Sequence, residues 1–328
     1  MRAAITYRNY LEEIDKKITC EKHKCLYIGC TSKAIDAHSI QKRGPLANIS
    51  DNNLVYCLES SLSKAYDVRT GTSNIGFKKT PVSRATTFPG FCDKHDKLFN
   101  VFELPGLDLS NKKHLLYLYY RTLGYELVRQ IIDSKRRAII LGNQYLSHSI
   151  SAALGLNTFE SEADFKKTLH LKASYCEGEL FPLLQLTQSY IEANKIGSLQ
   201  HLTRSINKNL GVACSSCTYI SREHFSEFRN TFPNEDLPTV TFNVVPKKNE
   251  TDIIISWDEK YNKHSTWLRK EFERNFEQLL NDFIFYRSED ICIAPSVWED
   301  NKDIQSIVKE TGHIFDPNYT KNLGVLKI

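Results

Sequence analysis

The sequence predicts an α+β chain in three parts: a zinc-stabilised N-terminal domain (1–105), a mainly helical region (106–210) and a mixed α/β C-terminal region (211–328). Three observations predict it. Two close pairs of metal-ligand type, Cys25/Cys30 and Cys92/His95, stand in a stretch rich in Gly, Ser, Thr and Lys. Beyond them, apolar residues recur at helical spacing. Further on, β-branched runs separated by a polar turn precede an amphipathic stretch.

The length of 328 residues allows two or three domains. Hydrophobic residues make up 41% and charged residues 25%, an ordinary globular balance. The longest apolar runs, such as Leu115–Tyr120 and Ala138–Leu141, fall far short of the ~20 residues a membrane span needs. The opening residues contain no apolar core of a signal peptide, so a cytoplasmic, membrane-free protein is expected. In that setting nine cysteines point to metal ligands or core thiols before disulfides.

Charge is unevenly spread. Residues 1–105 hold 16 Lys and Arg against 11 Asp and Glu, whereas the rest hold 27 against 28. The basic excess lies with the cysteine pairs, a footprint that suits a polyanionic partner and equally a plain solvated surface.

In the first part, a helix is expected over about Tyr7–Lys17, then small strands and loops, then a short helix near His95. Leu104-Pro105-Gly106 marks the boundary. Tetrahedral zinc takes thiolate and imidazole ligands. Gly29 just before Cys30 suits a tight knuckle, and Cys92-x2-His95 suits the first turn of a helix, whose end favours thiolate charge. The 61 residues between Cys30 and Cys92 exceed the insertion of a small zinc finger. Cys20 and His23 lie near enough to replace a ligand. Cys57, Cys176 and Cys292 read as core thiols, and Cys214-x2-Cys217 as an incidental pair.

In the second part, Ser110 suits an N-cap, and Leu116, Leu123, Leu127 and Ile131 mark a helix. Further helices are expected over about Glu162–Asn194 and Ile196–Lys208. In the third, Thr239–Val245 and Asp252–Trp257 form a hairpin. One amphipathic helix follows over about Ser265–Tyr286, and Ile291–Ala294 is a short strand. The C-terminal two thirds contain no nucleotide-binding glycine motif and no clear nucleophile–base pair.

His38 comes eight residues after Cys30, in Asp36-Ala37-His38-Ser39-Ile40, and Asp96 and Asn100 follow His95. Over about residues 20–105 this order resembles the HNH, or ββα-metal, nuclease family, in which a zinc knuckle of treble-clef type leads into a histidine-bearing strand and then a helix with metal ligands. The resemblance implies His38 as the general base, and Asp96 and Asn100, one turn apart, as ligands of a catalytic Mg²⁺ or Mn²⁺, with Glu103 a further candidate. It implies phosphodiester hydrolysis, with Lys33, Lys42, Arg43, Lys78, Lys79 and Arg84 on the phosphate backbone. DNA is favoured over RNA as partner.

Two departures stand out. Ala37 occupies a position where the family usually has a metal ligand, with Asp36 as a neighbouring substitute. Asn52 and Asn53 match the family's middle asparagine by type only. Two readings follow: a metal-dependent nuclease, of a kind joined to varied C-terminal regions in bacterial phage defence, or a catalytically degenerate zinc module that binds nucleic acid or protein. The first allows a homodimer that cuts both strands of a duplex, and a protein partner for the C-terminal regions.

Overall fold

The structure, a computed structural model, describes residues 2–58, 66–67, 72–73, 76–141, 175–219 and 238–311. It is an α+β fold. In chain order its elements begin with α1 (Arg2–Thr19) and β1 (Ala37–His38), then α2 (Ala47–Ile49) and β2 (Leu54–Leu58). The short strands β3 (Tyr66–Asp67) and β4 (Thr72–Ser73) precede β5 (Phe77–Pro81) and β6 (Thr87–Phe88). Next come α3 (Asp93–Asp96), α4 (Asn100–Glu103), the long α5 (Lys112–Leu141) and α6 (Phe181–Glu192). The C-terminal part holds β7 (Leu199–Ile206), β8 (Val212–Tyr219), β9 (Thr239–Pro246), β10 (Thr251–Asp258), α7 (Thr266–Arg274), α8 (Phe276–Phe285), β11 (Ile291–Ile293), α9 (Pro295–Asp300) and α10 (Lys302–Thr311).

One antiparallel sheet of seven strands organises the molecule, in the order β5-β2-β11-β8-β9-β10-β7. Its strands come from both sides of the boundaries expected at 105 and 210. The expected β9–β10 hairpin is present, with Ile254 opposite Asn243. All eight residues of β10 are buried, as a strand covered on both faces requires.

Period-two alternation sorts the two faces. Ser215 of β8 and Asn243 of β9 are register partners, and both meet Thr122 Oγ1 of α5 at 3.1 Å. Phe242, one residue away, turns to the other face and packs on Phe283 of α8, ring centroids 4.9 Å apart. Helices therefore cover the central strands on both faces.

Two helical expectations are corrected. Residues 199–206 form a strand, β7, where a helix was expected over Ile196–Lys208. Leu199, Leu202 and Ile206 are spaced three and four apart and imitate a helical stripe, but pairing along the whole of β10 decides the outcome. The amphipathic stretch at 265–286 is two helices. It breaks at Asn275, whose φ of −128° and ψ of 39° leave the helical region and whose side chain donates back to Glu271 Oε2 at 2.8 Å. In the second expected helix, residues 162–174 lie outside the described residues.

Asn52 and Asn53 have a turn role. Both have positive φ, 53° and 58°, and they sit between Asp51 and Leu54, whose backbones bond each other in both directions. That is a two-residue hairpin turn of the kind asparagine tolerates.

Candidate metal centre and its surroundings

Cys25, Cys30, Cys92 and His95 come together from three local structures. Cys25 and Cys30 flank a knuckle in which Cys30 N–H donates to the Tyr27 carbonyl at 3.0 Å and Gly29 takes φ +81°, a region open to glycine. Cys92 precedes α3 with extended backbone, φ −80° and ψ 165°, and His95 lies on the helix's first turn.

The four ligand atoms lie within 4.8 Å of one another. Zinc bonds of about 2.3 Å to sulfur and 2.0–2.1 Å to nitrogen, at tetrahedral angles, require sulfurs about 3.8 Å apart and sulfur to nitrogen about 3.5 Å. Cys30 Sγ and Cys92 Sγ are 3.8 Å apart. His95 Nδ1 is 3.4 Å from both Cys25 Sγ and Cys92 Sγ. The donor set and its spacing therefore fit one tetrahedral metal ion. Cys20 is exposed and, like His23, stands outside the group.

The surroundings fix these ligands in ways the sequence did not signal. The His95 ring is stacked on Tyr27, centroids 3.9 Å apart and planes 8° from parallel. Tyr27 OH donates to Glu192 Oε1 at 2.8 Å, and Gln188 Oε1 accepts the Ile28 N–H at 2.8 Å. Both acceptors belong to α6, so a helix over 150 residues away in sequence carries the knuckle. Gly124 of α5 lets Phe91 approach: a Cβ there would sit 2.8 Å from the Phe91 ring.

Next to the metal centre, β1 and β6 pair antiparallel, with His38 opposite Thr87, and α3 and α4 follow. This is a two-stranded ribbon followed by a helical segment. His38 Nε2 lies 3.1 Å from the Val82 carbonyl. A carbonyl only accepts, so Nε2 carries the proton and Nδ1 keeps its lone pair. Burial pulls the His38 pKa below its ordinary value, partly offset by the Val82 bond.

Asp96 is half-buried, and burial, then the Glu103 charge, pushes its carboxyl above the usual range. Glu103 itself is ion-paired with Arg121, 2.5 Å away. Arg121 is buried, with its guanidinium over the Phe99 and Phe102 rings at 5.4 and 4.7 Å. The charges of this pair act on both His38 and Asp96. Asn100 opens α4, half-buried, on the same helical segment. Asp36 is exposed, and its charge acts on His23.

Ser39, the residue after His38, donates its hydroxyl to the buried carboxylate of Asp290, and Gln41 Nε2 donates to the Glu103 carbonyl at 2.8 Å. These bonds hold the chain after His38 against β11 on one side and α4 on the other.

Arg121 was missed because it is one of several Lys and Arg on α5, of which Lys112, Lys113 and Lys135 are exposed. The available signal was its position, three residues after buried Leu118 and seven before buried Val128, inside the apolar stripe.

Among the described residues, the Cys₃His set is the one group of three or more His, Cys, Asp or Glu whose ligand atoms converge. Lys33, Lys42, Arg43, Lys78, Lys79 and Arg84 are all exposed. Lys79 is ion-paired with Glu299 at 3.0 Å, and the Lys42 charge acts on His38. No described helix is long and apolar enough to cross a membrane. Comparison with protein-family models, curated proteins and solved structures finds no significant match.

Proposed function

We propose that this chain is a metal-dependent nuclease of HNH type, a hydrolase of phosphodiester bonds, with a structural zinc at the Cys₃His centre of a treble-clef-like module. The observation that carries the reading is the order of elements: His38 on the β1–β6 ribbon, then Asp96 and Asn100 on the helical segment that follows, beside a cluster with zinc's own spacing.

On this reading His38 Nδ1, its tautomer fixed by the Val82 carbonyl, takes a proton from the attacking water. Asp96 and Asn100 are the chain's oxygen donors to Mg²⁺ or Mn²⁺. When bound, such an ion supplies charge neutralisation at the phosphate and the leaving oxygen. So few protein ligands suit Mg²⁺, which keeps waters and is held by one or two carboxylates together with substrate phosphate. Glu103 acts through its pair with Arg121. Exposed Lys33, Lys42, Arg43 and Arg84 meet the backbone of DNA in the bacterial cytoplasm, where a role in phage defence fits a nuclease module fused to a larger recognition part.

Two features favour a second reading. Ala37 stands where a ligand would help, and no second ligand cluster converges among the described residues. A zinc module that binds nucleic acid or protein without cutting would look the same there. Incubating the purified chain with plasmid, linear duplex, single-stranded DNA and RNA, in Mg²⁺, Mn²⁺ or EDTA, separates the two. Cleavage that requires added metal supports the nuclease. Salt-sensitive binding without cleavage supports the module.

A further inference from the structure

Away from the metal centre, Cys57 of β2 and Cys292 of β11 lie directly opposite each other on antiparallel strands. Their sulfurs are 2.9 Å apart, although 235 residues separate them in sequence. Facing antiparallel residues have Cα atoms about 4.5–5.5 Å apart, inside the range a disulfide spans. Closing the bond takes a sulfur movement of only about 0.9 Å. Both residues are free thiols. Cys57 is partly exposed and Cys292 is fully buried.

The position is mechanically specific. β11 is three residues long and is the strand that joins the outer β5–β2 ribbon to β8 and the rest of the sheet. It meets β2 through two residue pairs, Cys292 with Cys57 and Ile293 with Tyr56. We propose that Cys57 and Cys292 are a redox modification site, a reversible cross-strand disulfide that staples the outer ribbon to the main sheet under peroxide.

The accessible Cys57 reacts first. Its thiolate attacks one oxygen of hydrogen peroxide, forming a sulfenic acid and releasing hydroxide, which leaves as water. Cys292 sulfur then attacks the Cys57 sulfur. The S–O bond breaks, the S–S bond forms, and the departing hydroxide takes the Cys292 proton as a second water. Two thiols lose two electrons in all, and the peroxide gains them. Five of the other cysteines are engaged elsewhere. Cys214 Sγ is engaged with Ser288 Oγ at 3.0 Å, Cys217 Sγ points at the Thr122 carbonyl at 3.8 Å, and Cys25, Cys30 and Cys92 belong to the metal cluster.

The test uses the full chain, reduced, zinc-loaded and then treated with graded hydrogen peroxide. Free thiols are alkylated and the protein is cut with trypsin. Cys57 and Cys292 fall in separate tryptic peptides, 44–64 and 288–302, each with no other cysteine. The expected result is a 44–64/288–302 linked peptide at doses that release no zinc. It should disappear with dithiothreitol and in both C57S and C292S, and dimedone should label Cys57 in C292S. The proposal is overturned if both peptides stay unlinked up to the dose that releases zinc, or if either cysteine links to a different one. Because the wild-type mapping stands alone, a variant that misfolds leaves the test intact.

Discussion

The imidazole of His95 lies face to face on the ring of Tyr27, 3.9 Å between centroids and 8° between planes. The stack aims Nδ1 at the two nearest sulfurs, 3.4 Å from each. Tyr27 thereby acts as an outer support of the metal centre, a role such groups commonly fill.

The support has two separable parts, the ring and the hydroxyl bonded to Glu192. Tyr27→Leu should speed zinc loss to a chelator by roughly tenfold or more, since the platform for His95 is gone. Tyr27→Phe keeps the ring and should release zinc at close to the wild-type rate. Chelator competition with a colorimetric zinc dye reads both. Equal rates for Tyr27→Leu and the wild type would remove Tyr27 from the account.

Gly124 tests how closely the part that carries the Cys₃His cluster sits on α5. An alanine there gains about 1 kcal/mol of helix propensity. Its Cβ, however, would meet the fully buried Phe91 ring at 2.8 Å, and overpacking of that kind costs about 1–3 kcal/mol. Gly124→Ala should therefore destabilise the protein in urea unfolding. Gly178→Ala is the control, because a Cβ there meets no atom within 4 Å.

The Glu103–Arg121 pair is asymmetric. The Arg121 side chain is 4% exposed and that of Glu103 27%. Removing the carboxylate strands a buried guanidinium, for which a loss of about 3–5 kcal/mol is typical. Removing the guanidinium leaves a carboxylate that water still reaches. Glu103→Ala should thus cost more stability than Arg121→Met, as compared by urea midpoints. The reverse order would contradict the structural role given to the pair.

Asp290 sets a pH dependence. Burial pushes its carboxyl up to about 7, against the hydroxyl bonds from Ser39 and Tyr125 and the charge of Arg129, with Glu126 acting in the same direction as burial. Its pKa is raised on folding, so the native state holds a proton that the unfolded chain has released. That contribution is complete below about pH 4 and is lost as pH rises to about 7. Asp290→Asn, which imitates the protonated form, should flatten the fall in stability between pH 5 and 7.5. Urea unfolding at several pH values checks it, and an unchanged slope would contradict the assignment.

The Cys₃His cluster was legible in the sequence because ligand chemistry restricts residue type and local spacing at once. The β9–β10 hairpin was legible because β-branched runs and a polar turn agree. The strand β7 was not, since its leucines imitate helical spacing and only its partner β10 distinguishes the two. The seven-stranded sheet was not legible either, because β2, β5 and β11 join it through pairings between distant segments. Tyr27 and Gln188 support the knuckle through contacts of that same kind, and local pattern carries no trace of them.

The nuclease reading is tested by comparing the wild type with His38→Gln, each holding one zinc. Glutamine can still donate to the Val82 carbonyl that His38 meets at 3.1 Å, but it has no basic lone pair. With plasmid DNA and Mg²⁺ or Mn²⁺, the wild type should cleave, EDTA should abolish cleavage, and the variant should be slower by at least about a hundredfold. Equal metal-dependent cleavage by both folded proteins would contradict that reading, as would no cleavage of any nucleic acid by the wild type.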